Sequence, residues 1–273
     1  MYTTYWKLDR RPFDNDDQPR FYYPSETHQA TLLKLRYAID NRRGAAALAG
    51  VAGVGKTLLV RTLLADLADE YAPRIHVRFP QMVPEQLVAY LAAELTGQAA
   101  PSAAVDANLH RIESHLEQNS RNGRHAVVVI DEAHLLGGTD TMESLRLLLN
   151  YDAAWTIVLA GQAGLLTALE RMPALEERMS VKCLLQRFSL DQSTAYLSHR
   201  LRAAGAPDIH AVFQPDALER VHQLADGIPR RINRLADLAL LIGFAEERGR
   251  IGAAQVETVA EELLTPAPIA CAA

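Results

Sequence analysis

A glycine-rich run near residue 50 has the residue types and spacing that bind phosphate. The run is Gly50-Val51-Ala52-Gly53-Val54-Gly55-Lys56-Thr57, which fits the pattern G-x-x-x-x-G-K-[ST]. Glycines let such a loop curl so that its backbone N–H groups point inward, and a helix that follows it, here Leu58 to Leu67, adds the positive end of its dipole. We predict that Lys56 contacts the β- and γ-phosphates and that the Thr57 hydroxyl binds Mg²⁺. The alternative is a glycine-rich turn with a solvated lysine.

Two adjacent acids follow an apolar run farther along the chain. The run Val127-Val128-Val129-Ile130 leads directly into Asp131 and Glu132. A buried strand that ends in two acids brings both to the carboxyl edge of a sheet. We predict that Asp131 lies near the Mg²⁺ and that Glu132 orients and deprotonates the attacking water. The alternative is an acidic cap on the helix that follows.

The acids continue into Ala133 and His134, so the run spells DEAH, the box that names one helicase class. Those helicases need two tandem cores, and a chain of 273 residues has room for one. We therefore interpret His134 as a structural or water-linked residue and not as a catalytic one.

Polar residues elsewhere are placed to sense a bound phosphate. Gln162 follows the apolar run Trp155 to Ala160 and is predicted to hydrogen-bond the γ-phosphate or the attacking water, although it also suits a helix start. Arg230 lies at the start of a predicted helix, where the helix dipole disfavours a cation. An anionic partner would explain that position, so Arg230 is predicted to reach the γ-phosphate. The alternatives are that Arg230 is a solvated surface residue or that Arg231 has this role.

Arg178 lies just before the last predicted strand and is expected to point away from its own site. An arginine of this kind can complete the site of a neighbouring subunit, where it is worth about 10³–10⁵ in rate. Arg171 is the rival for that role, and a helical ion pair is the structural alternative.

The elements that position these residues alternate between short apolar runs and helical patterns. Continuous apolar runs are typical of strands covered on both faces, so we predict a parallel sheet with helices on each side. The predicted strands are Ala45 to Ala49, Arg74 to Phe79, Ala126 to Ile130, Thr156 to Ala160 and Val181 to Leu185.

After Phe188 the pattern is helical only. Ser189 and Gln192 form a capping box that opens a helix through about Ala204. Three further helices are predicted over Pro215 to Ala225, Arg230 to Glu246 and Ala253 to Leu264. We expect four regions: an extended lead-in over residues 1–28 that lies over the core, a core over 29–188, a helical domain over 189–264, and a disordered tail over 265–273.

Cysteine content and the charged start of the sequence predict a cytoplasmic protein. Two cysteines, Cys183 and Cys271, make a disulfide framework implausible. The charged start does not resemble a signal peptide, and the apolar segment Leu235 to Ala245 is too short to span a membrane and contains Asp237. The net charge of −5 gives no long-range attraction to DNA or to anionic lipid, so binding to either would need a local patch.

With the phosphate loop, the acid pair, Gln162, Arg178 and the Gly-Ile-Pro-Arg element in this order, the sequence resembles an AAA+ ATPase. It resembles the ExeA/GspA-type secretion ATPases more closely, over roughly residues 2 to 264. The features that carry this closer resemblance are Tyr5-Trp6-Lys7-Leu8, Arg11-Pro12-Phe13, Phe21-Tyr22-Tyr23-Pro24-Ser25, Gly161-Gln162, Tyr196-Leu197-Ser198-His199-Arg200-Leu201 and GIPRRINRL.

The resemblance implies an α/β fold, namely a P-loop NTPase αβα core with a five-stranded parallel sheet of order 5-1-4-3-2 and a C-terminal helical lid. It implies the nucleotide roles already given for Lys56, Thr57, Asp131, Glu132, Gln162, Arg178 and Arg230. It also implies that the segments Tyr22 to Pro24 and Ile228 to Pro229 flank the adenine. The expected ATP-binding residues are therefore Gly50, Val51, Ala52, Gly53, Val54, Gly55, Lys56, Thr57, Leu58, Tyr23, Pro229 and Arg230, with Mg²⁺ held by Thr57 and Asp131.

The core is also similar to transposition regulators of the TniB/TnsC kind, which are ATP-dependent assemblies on DNA. Five arginines fall just before predicted strands, where they would gather at the amino edge of the sheet and contact phosphates. The alternative is a solvated rim. These arginines are Arg42, Arg43, Arg74, Arg121 and Arg124.

The sequence thus predicts an Mg²⁺-dependent ATP hydrolase that assembles with itself into a hexamer-like ring or a filament. Its lid is expected to move and so to remodel or energise a partner complex associated with secretion or the envelope. The alternative is an ATP-dependent, DNA-binding regulator of transposition.

Overall fold

The computed structural model describes residues 2–14, 22–98, 104–136, 138–151, 154–206 and 208–264. Phe21, Cys271 and the predicted tail over 265–273 lie outside these ranges. The chain divides into two compact units. One unit groups residues within Met1–Ser25, Gly53–Gly55 and Arg187–Ala273, and the other groups Glu26–Ala52 with Lys56–Gln186.

In the part of the chain that the structure describes, five parallel strands form one sheet in the second unit. Their order across the sheet is β2-β3-β4-β1-β5, which is the predicted order 5-1-4-3-2 viewed from the opposite edge. The predicted fold class is therefore confirmed. The strands are β1 (Ala45–Gly50), β2 (Arg74–Val77), β3 (Ala126–Ile130), β4 (Trp155–Gly161) and β5 (Met179–Leu185).

Burial separates the central strands from the edge strands. Every residue of β1, β3 and β4 is buried, as the continuous apolar runs predict for strands covered on both faces. Strands β2 and β5 lie at the edges and alternate between more and less exposed residues. Strand β2 ends at Val77 and not at Phe79 as predicted, and Phe79 is 67% exposed.

The register of the sheet brings the ends of three central strands to one edge. Strand β4 lies between β1 and β3, with Ala49 beside Gly161 and Ile130 beside Leu159. Because the strands are parallel, the residues that follow β1, β3 and β4 all leave the sheet at its carboxyl edge. The chain segments beginning at Val51, Asp131 and Gln162 therefore start close to one another.

Helices connect the strands and make up most of the rest of the described chain. The start of α11 agrees within one residue with its prediction, and α10 and α12 have the predicted bounds. The helices are α1 (Tyr2–Tyr5), α2 (Glu26–Asp40), α3 (Lys56–Ala65), α4 (Pro84–Thr96), α5 (Val105–Arg121), α6 (Gly138–Leu148), α7 (Gly164–Glu170), α8 (Pro173–Glu176), α9 (Leu190–Ala203), α10 (Pro215–Ala225), α11 (Pro229–Ala245) and α12 (Ala253–Leu264).

The predicted capping box at the start of α9 is confirmed. The Ser189 hydroxyl accepts the N–H of Gln192, and the Gln192 side chain accepts the N–H of Ser189. Helix α9 packs with α10, α11 and α12 around an apolar core that includes Leu197, Val221 and Leu240.

The N-terminal segment belongs to this helical unit rather than to the unit that contains the sheet. It was predicted to be extended, but it contains one helical turn, α1. The Trp6 indole N–H donates to the carbonyl of Leu240 at 2.9 Å, and the buried guanidinium of Arg200 donates to the carbonyl of Pro12 at 2.6 Å. The predicted four-region division of the chain stays a prediction.

Among the described residues, no helix is both long enough and apolar enough to span a bilayer.

Candidate functional site

The glycine-rich loop follows β1 directly, and α3 begins at Lys56. The Lys56 side chain is buried, with 5% of the residue exposed, and its ammonium donates to the carbonyls of Gly50 at 2.9 Å and Val51 at 3.1 Å. A buried ammonium needs such acceptors, because an uncompensated charge would be costly away from water. The ammonium is therefore fixed above the first two residues of the loop.

Gly53 has a backbone conformation and surroundings that exclude a side chain. Its φ is +82°, in the region that favours glycine, and a Cβ there would lie 2.9 Å from Cβ of Arg230 and 3.2 Å from Cγ2 of Ile228. The Gly53 carbonyl accepts the backbone N–H of Arg230 at 3.2 Å. Gly53 and Arg230 belong to the same compact unit, so the loop glycine and the start of α11 are in direct contact.

Thr57 and Asp131 meet within the unit that contains the sheet. The Thr57 hydroxyl donates to Oδ2 of Asp131 at 2.8 Å, and Oδ1 of Asp131 accepts the N–H of Glu132 at 2.9 Å. Nε2 of His76 lies 3.5 Å from Oδ2. Burial by itself raises the pKa of Asp131, but the nearby His76 ring and the hydrogen bonds from Thr57 and the Glu132 backbone lower it below its ordinary value. Asp131 is therefore a carboxylate at neutral pH.

The Thr57 and Asp131 pair suits a hard divalent cation. Mg²⁺ prefers oxygen ligands and keeps several waters, so a hydroxyl and one carboxylate suffice when phosphate oxygens supply further ligands. Within the described ranges, no group of three or more His, Cys, Asp or Glu residues is placed to hold a metal by itself. This arrangement favours a cation that binds together with a phosphate.

Glu132 leaves β3 in a conformation that is uncommon for a residue with a side chain. Its φ is +50°, in the left-handed region, and it precedes a 3₁₀ turn over Ala133–Leu135. Such conformations cost about 1–3 kcal/mol and cluster at functional sites. The Glu132 side chain is 42% exposed. The strained turn thus directs a solvent-accessible carboxylate away from the strand.

Gln162 follows β4 at the same carboxyl edge of the sheet and is exposed. Its backbone N–H donates to Nδ1 of His134 at 3.3 Å. The same ring nitrogen lies 3.4 Å from Oε2 of Glu132. His134 therefore contacts both predicted functional residues, a role that the sequence interpretation did not assign to it.

His76 was also missed by sequence reasoning. It lies on β2, and β2 pairs with β3, so the Nε2 atom of His76 reaches Asp131 from the neighbouring strand. The available signal was a histidine in the otherwise apolar run Ile75 to Val77.

Arg178 lies between α8 and β5 and is held within its own chain. Its guanidinium donates to the carbonyl of Leu149 at 3.0 Å and to Oδ1 of Asn150. Both acceptors follow the carboxyl end of α6, where the helix dipole favours a cation. Arg171, the rival candidate, is exposed at the end of α7.

Tyr23 belongs to an aromatic cluster in the helical unit. Its ring centroid lies 5.8 Å from those of Phe188 and Tyr196 and 5.6 Å from that of His199. Pro229 is buried at the start of α11, and Arg231 is exposed in the first turn of that helix.

The predicted rim of arginines contains members that are already bonded. The Arg74 guanidinium donates to four backbone carbonyls, and Arg121 pairs with Glu117 at 3.1 Å. Arg74 therefore acts as a cap for the chain after α3 rather than as a freely placed cation. The four carbonyls are those of Leu64, Leu67, Ala68 and Tyr71.

Comparisons with known proteins agree with this arrangement. A family model described as "AAA domain" matches residues 39–169. Over 270 residues the chain is 32% identical to "General secretion pathway protein A" of Aeromonas hydrophila, and the match covers 96% of this chain and 48% of that protein. Residues 39–169 therefore match an AAA domain, and the predicted resemblance to AAA+ ATPases is confirmed. The resemblance to the ExeA/GspA type is confirmed, and the chain spans about half the length of the curated relative it matches.

Solved structures of AAA+ proteins share the fold. The Aeropyrum pernix ORC2 protein, in ADPNP-ADP complexes, matches with a TM-score of 0.67 and 18% identity, over 93% of this chain and 72% of that chain. Drosophila ORC bound to DNA matches with a TM-score of 0.71 and 16% identity, over 93% and 64%. The Thermotoga maritima RuvB Holliday junction branch migration motor matches with a TM-score of 0.59 and 18% identity, over 89% and 73%. At these identities the likeness concerns the fold alone.

Proposed function

We propose that this AAA+ protein binds ATP with Mg²⁺ at the carboxyl edge of its sheet and hydrolyses it. The hydrogen bond between Thr57 and Asp131 is the observation that carries the proposal. It joins the first turn of α3, where a phosphate loop ends, to the acidic end of β3, and both groups are oxygen donors that suit Mg²⁺. A bound ion would polarise the phosphates and offset the negative charge that develops on them.

The side chains around this pair have complementary roles in the proposed reaction. Water attacks the γ-phosphorus in line, the bond from that phosphorus to the β–γ bridging oxygen breaks, and ADP leaves. Glu132 orients the water and accepts its proton. The exposed carboxylate of Glu132 suits this role, since a base must reach the water. Lys56 supplies positive charge beside the loop that holds the phosphates, and inward-pointing backbone N–H groups supply the rest.

Gln162 and Arg230 are proposed to sense the γ-phosphate. Gln162 directly follows β4, the strand between β1 and β3. It therefore lies between the loop that follows β1 and the acids that follow β3. Arg230 is exposed at the start of α11, where its backbone N–H already contacts Gly53 of the loop. Tyr23 and Pro229 are proposed to flank the adenine, because the resemblance to ExeA/GspA-type ATPases implies that role.

Self-assembly with a shared site is also proposed. Arg178 would serve the site of a neighbouring copy, the role that the resemblance to AAA+ ATPases implies. Its guanidinium donates two hydrogen bonds within its own chain, to Leu149 and Asn150. A guanidinium has five N–H donors, so these contacts leave donors for a phosphate.

The partner is proposed to be a complex of the secretion apparatus or the envelope. The name of the Aeromonas hydrophila relative, "General secretion pathway protein A", supports this choice. The DNA-dependent alternative has less support, because Arg74 and Arg121 already have partners within the chain.

ATP turnover measured with Glu132→Gln tests the proposal. The variant is expected to bind Mg²⁺-ATP as the parent does and to lose turnover by about 10²-fold or more, the size of a general-base contribution. Glu143→Gln, at a half-exposed acid on α6 that pairs with Arg146, is the matched control and should keep full activity. If Glu132→Gln hydrolysed ATP at the parental rate, the base assignment would be wrong.

Parallel assays with duplex DNA across a range of salt concentrations separate the two candidate functions. A rate of ATP turnover that does not change when DNA is added supports the secretion role. Strong stimulation that fades as salt rises supports the DNA-dependent role instead, because salt weakens phosphate contacts.

A further inference from the structure

One ring nitrogen of His134 faces two groups with opposite requirements. Nδ1 lies 3.3 Å from the backbone nitrogen of Gln162, which is a donor, and 3.4 Å from Oε2 of Glu132, which is an acceptor when ionised. The ring is mostly enclosed, with 18% of the side chain exposed. A Cβ on Gly161 would lie 3.1 Å from the His134 backbone nitrogen, so the end of β4 packs directly against this residue.

A single imidazole nitrogen cannot satisfy both neighbours at once. With its lone pair free, Nδ1 accepts the N–H of Gln162 and makes no hydrogen bond to the carboxylate. With a proton attached, Nδ1 donates to Glu132 and no longer accepts from Gln162. The two contacts therefore exclude one another.

We propose that His134 is a positioning residue that links the end of β4 to the carboxylate of Glu132 through Nδ1. The proposal rests on the proposed function, in which Glu132 is the general base. While Nδ1 accepts from Gln162, the lone pairs of Glu132 remain available to the attacking water. While Nδ1 donates to Glu132, it fixes the carboxylate. The ring thus couples the orientation of the base to the position of Gln162, the proposed γ-phosphate sensor.

Two features distinguish this role from simple packing. Glu132 has a left-handed backbone and a half-exposed side chain, and Nδ1 of His134 lies 3.4 Å from its carboxylate. His134 also extends from the 3₁₀ turn that immediately follows Glu132, which places the ring beside the carboxylate without any long-range rearrangement.

The test compares His134→Ala with His134→Asn. The side-chain amide of asparagine puts an acceptor or a donor where Nδ1 of histidine lies, whereas alanine offers neither. His110→Ala is the matched control, because His110 is exposed on α5. For each protein, kcat and KM for ATP, the Kd for Mg²⁺-ATP and the thermal unfolding midpoint are measured.

His134→Ala is expected to lower kcat by about tenfold, a part of the roughly 10²–10⁴-fold value of general-base catalysis, and to leave the Kd for ATP within about twofold. His134→Asn should recover most of the lost kcat. Adding His134→Ala to Glu132→Gln should cost nothing further, because residues that act as a unit are not additive.

Three results would overturn the proposal. The first is a kcat for His134→Ala within about twofold of the parent while Glu132→Gln is inactive. This result would rule out the role of His134 but leave the proposed function intact. The second is that kcat, ATP affinity and the unfolding midpoint all fall, and fall by the same amounts in His134→Ala and His134→Asn. This result would indicate a structural role. The third is parental turnover by Glu132→Gln, which removes the base assignment and this proposal together.

Discussion

The hydroxyl of Thr57 donates a 2.8 Å hydrogen bond to Oδ2 of Asp131, a residue 74 positions away in the sequence. This contact joins the helix after the phosphate loop to the acidic end of β3. These two residues are the ones proposed to hold Mg²⁺ bound with ATP.

Thr57→Val should therefore weaken Mg²⁺-dependent ATP binding. Valine keeps the shape of threonine but has no oxygen, so the ion loses a ligand and Asp131 loses a donor. A hydrogen bond to a charged group contributes about 1.5–3 kcal/mol, so a loss of about 10–100-fold in affinity is expected. Titration of ATP with and without Mg²⁺ measures it. Thr57→Ser retains the hydroxyl and should bind nearly as the parent does; equal binding by the valine variant would count against the metal site.

Gly53→Ala should weaken ATP binding by the loop and lower the free energy of unfolding of the protein. Alanine is strained at φ +82°, and its Cβ would lie 2.9 Å from Cβ of Arg230. Gly123→Ala isolates the backbone part of this effect. Gly123 has φ +71°, and apart from its two chain neighbours no described residue has a heavy atom within 4 Å of a Cβ added there. The backbone part alone is expected to cost about 1–2 kcal/mol in each variant.

Denaturant unfolding and ATP titration of both variants measure the difference. We expect Gly53→Ala to lose more stability than Gly123→Ala and, unlike it, to lose ATP affinity. Identical losses in the two variants would show that the contact with Arg230 does not restrict the loop.

Arg178→Ala should lower ATP turnover, and mixing it with Glu132→Gln should partly restore turnover. If Arg178 completes a neighbour's site, then mixing Arg178→Ala with Glu132→Gln creates junctions that have an intact base on one copy and an intact arginine on the other. The mixture should hydrolyse ATP faster than the sum of the two variants alone, since a finger of this kind is worth about 10³–10⁵ in rate.

Arg171→Ala is the matched control, because Arg171 is exposed in the turn just before α8. It should turn over ATP as the parent does. A mixture that never exceeds the sum of its components would argue against a shared site, and complementation by Arg171→Ala in place of Arg178→Ala would assign the finger to Arg171.

Local patterns were sufficient to predict the central sheet and the glycine-rich loop between β1 and α3. Strands β1, β3 and β4 are buried on both faces, so their apolar runs are continuous and easy to recognise. The edge strand β2 was predicted too long, because Arg78 and Phe79 extend the β-like run although its pairing with β3 ends at Val77 and Ile130.

Contacts between distant segments could not be predicted in the same way. Nothing in the sequence near Arg178 indicates that it donates to Leu149, and nothing near Arg74 indicates that it caps the chain after α3. Both contacts depend on how the helices pack against the sheet. The roles of His76 and His134 were missed for the same reason, since each depends on the neighbouring strand.

Arg200 offers a test of how the N-terminal segment is attached to the helical unit. Arg200 is 2% exposed. Its guanidinium donates to the carbonyls of Pro12 at 2.6 Å and Asp14 at 2.5 Å. Arg200→Met fills much of the same volume but leaves both carbonyls without this donor. Because hydrogen bonds to charged groups contribute about 1.5–3 kcal/mol each, the free energy of unfolding of this unit should fall by about 2 kcal/mol or more.

Hydrogen exchange distinguishes local from global loss in this variant. Amides of residues 2–14 should exchange faster in Arg200→Met than in the parent, and by a larger factor than amides of β3, which lies in the other unit. Arg202→Met, at an exposed position on the same helix, should leave both regions unchanged. Parental exchange of residues 2–14 in Arg200→Met would mean that Trp6 and the apolar contacts of α1 are sufficient to attach the segment without the arginine.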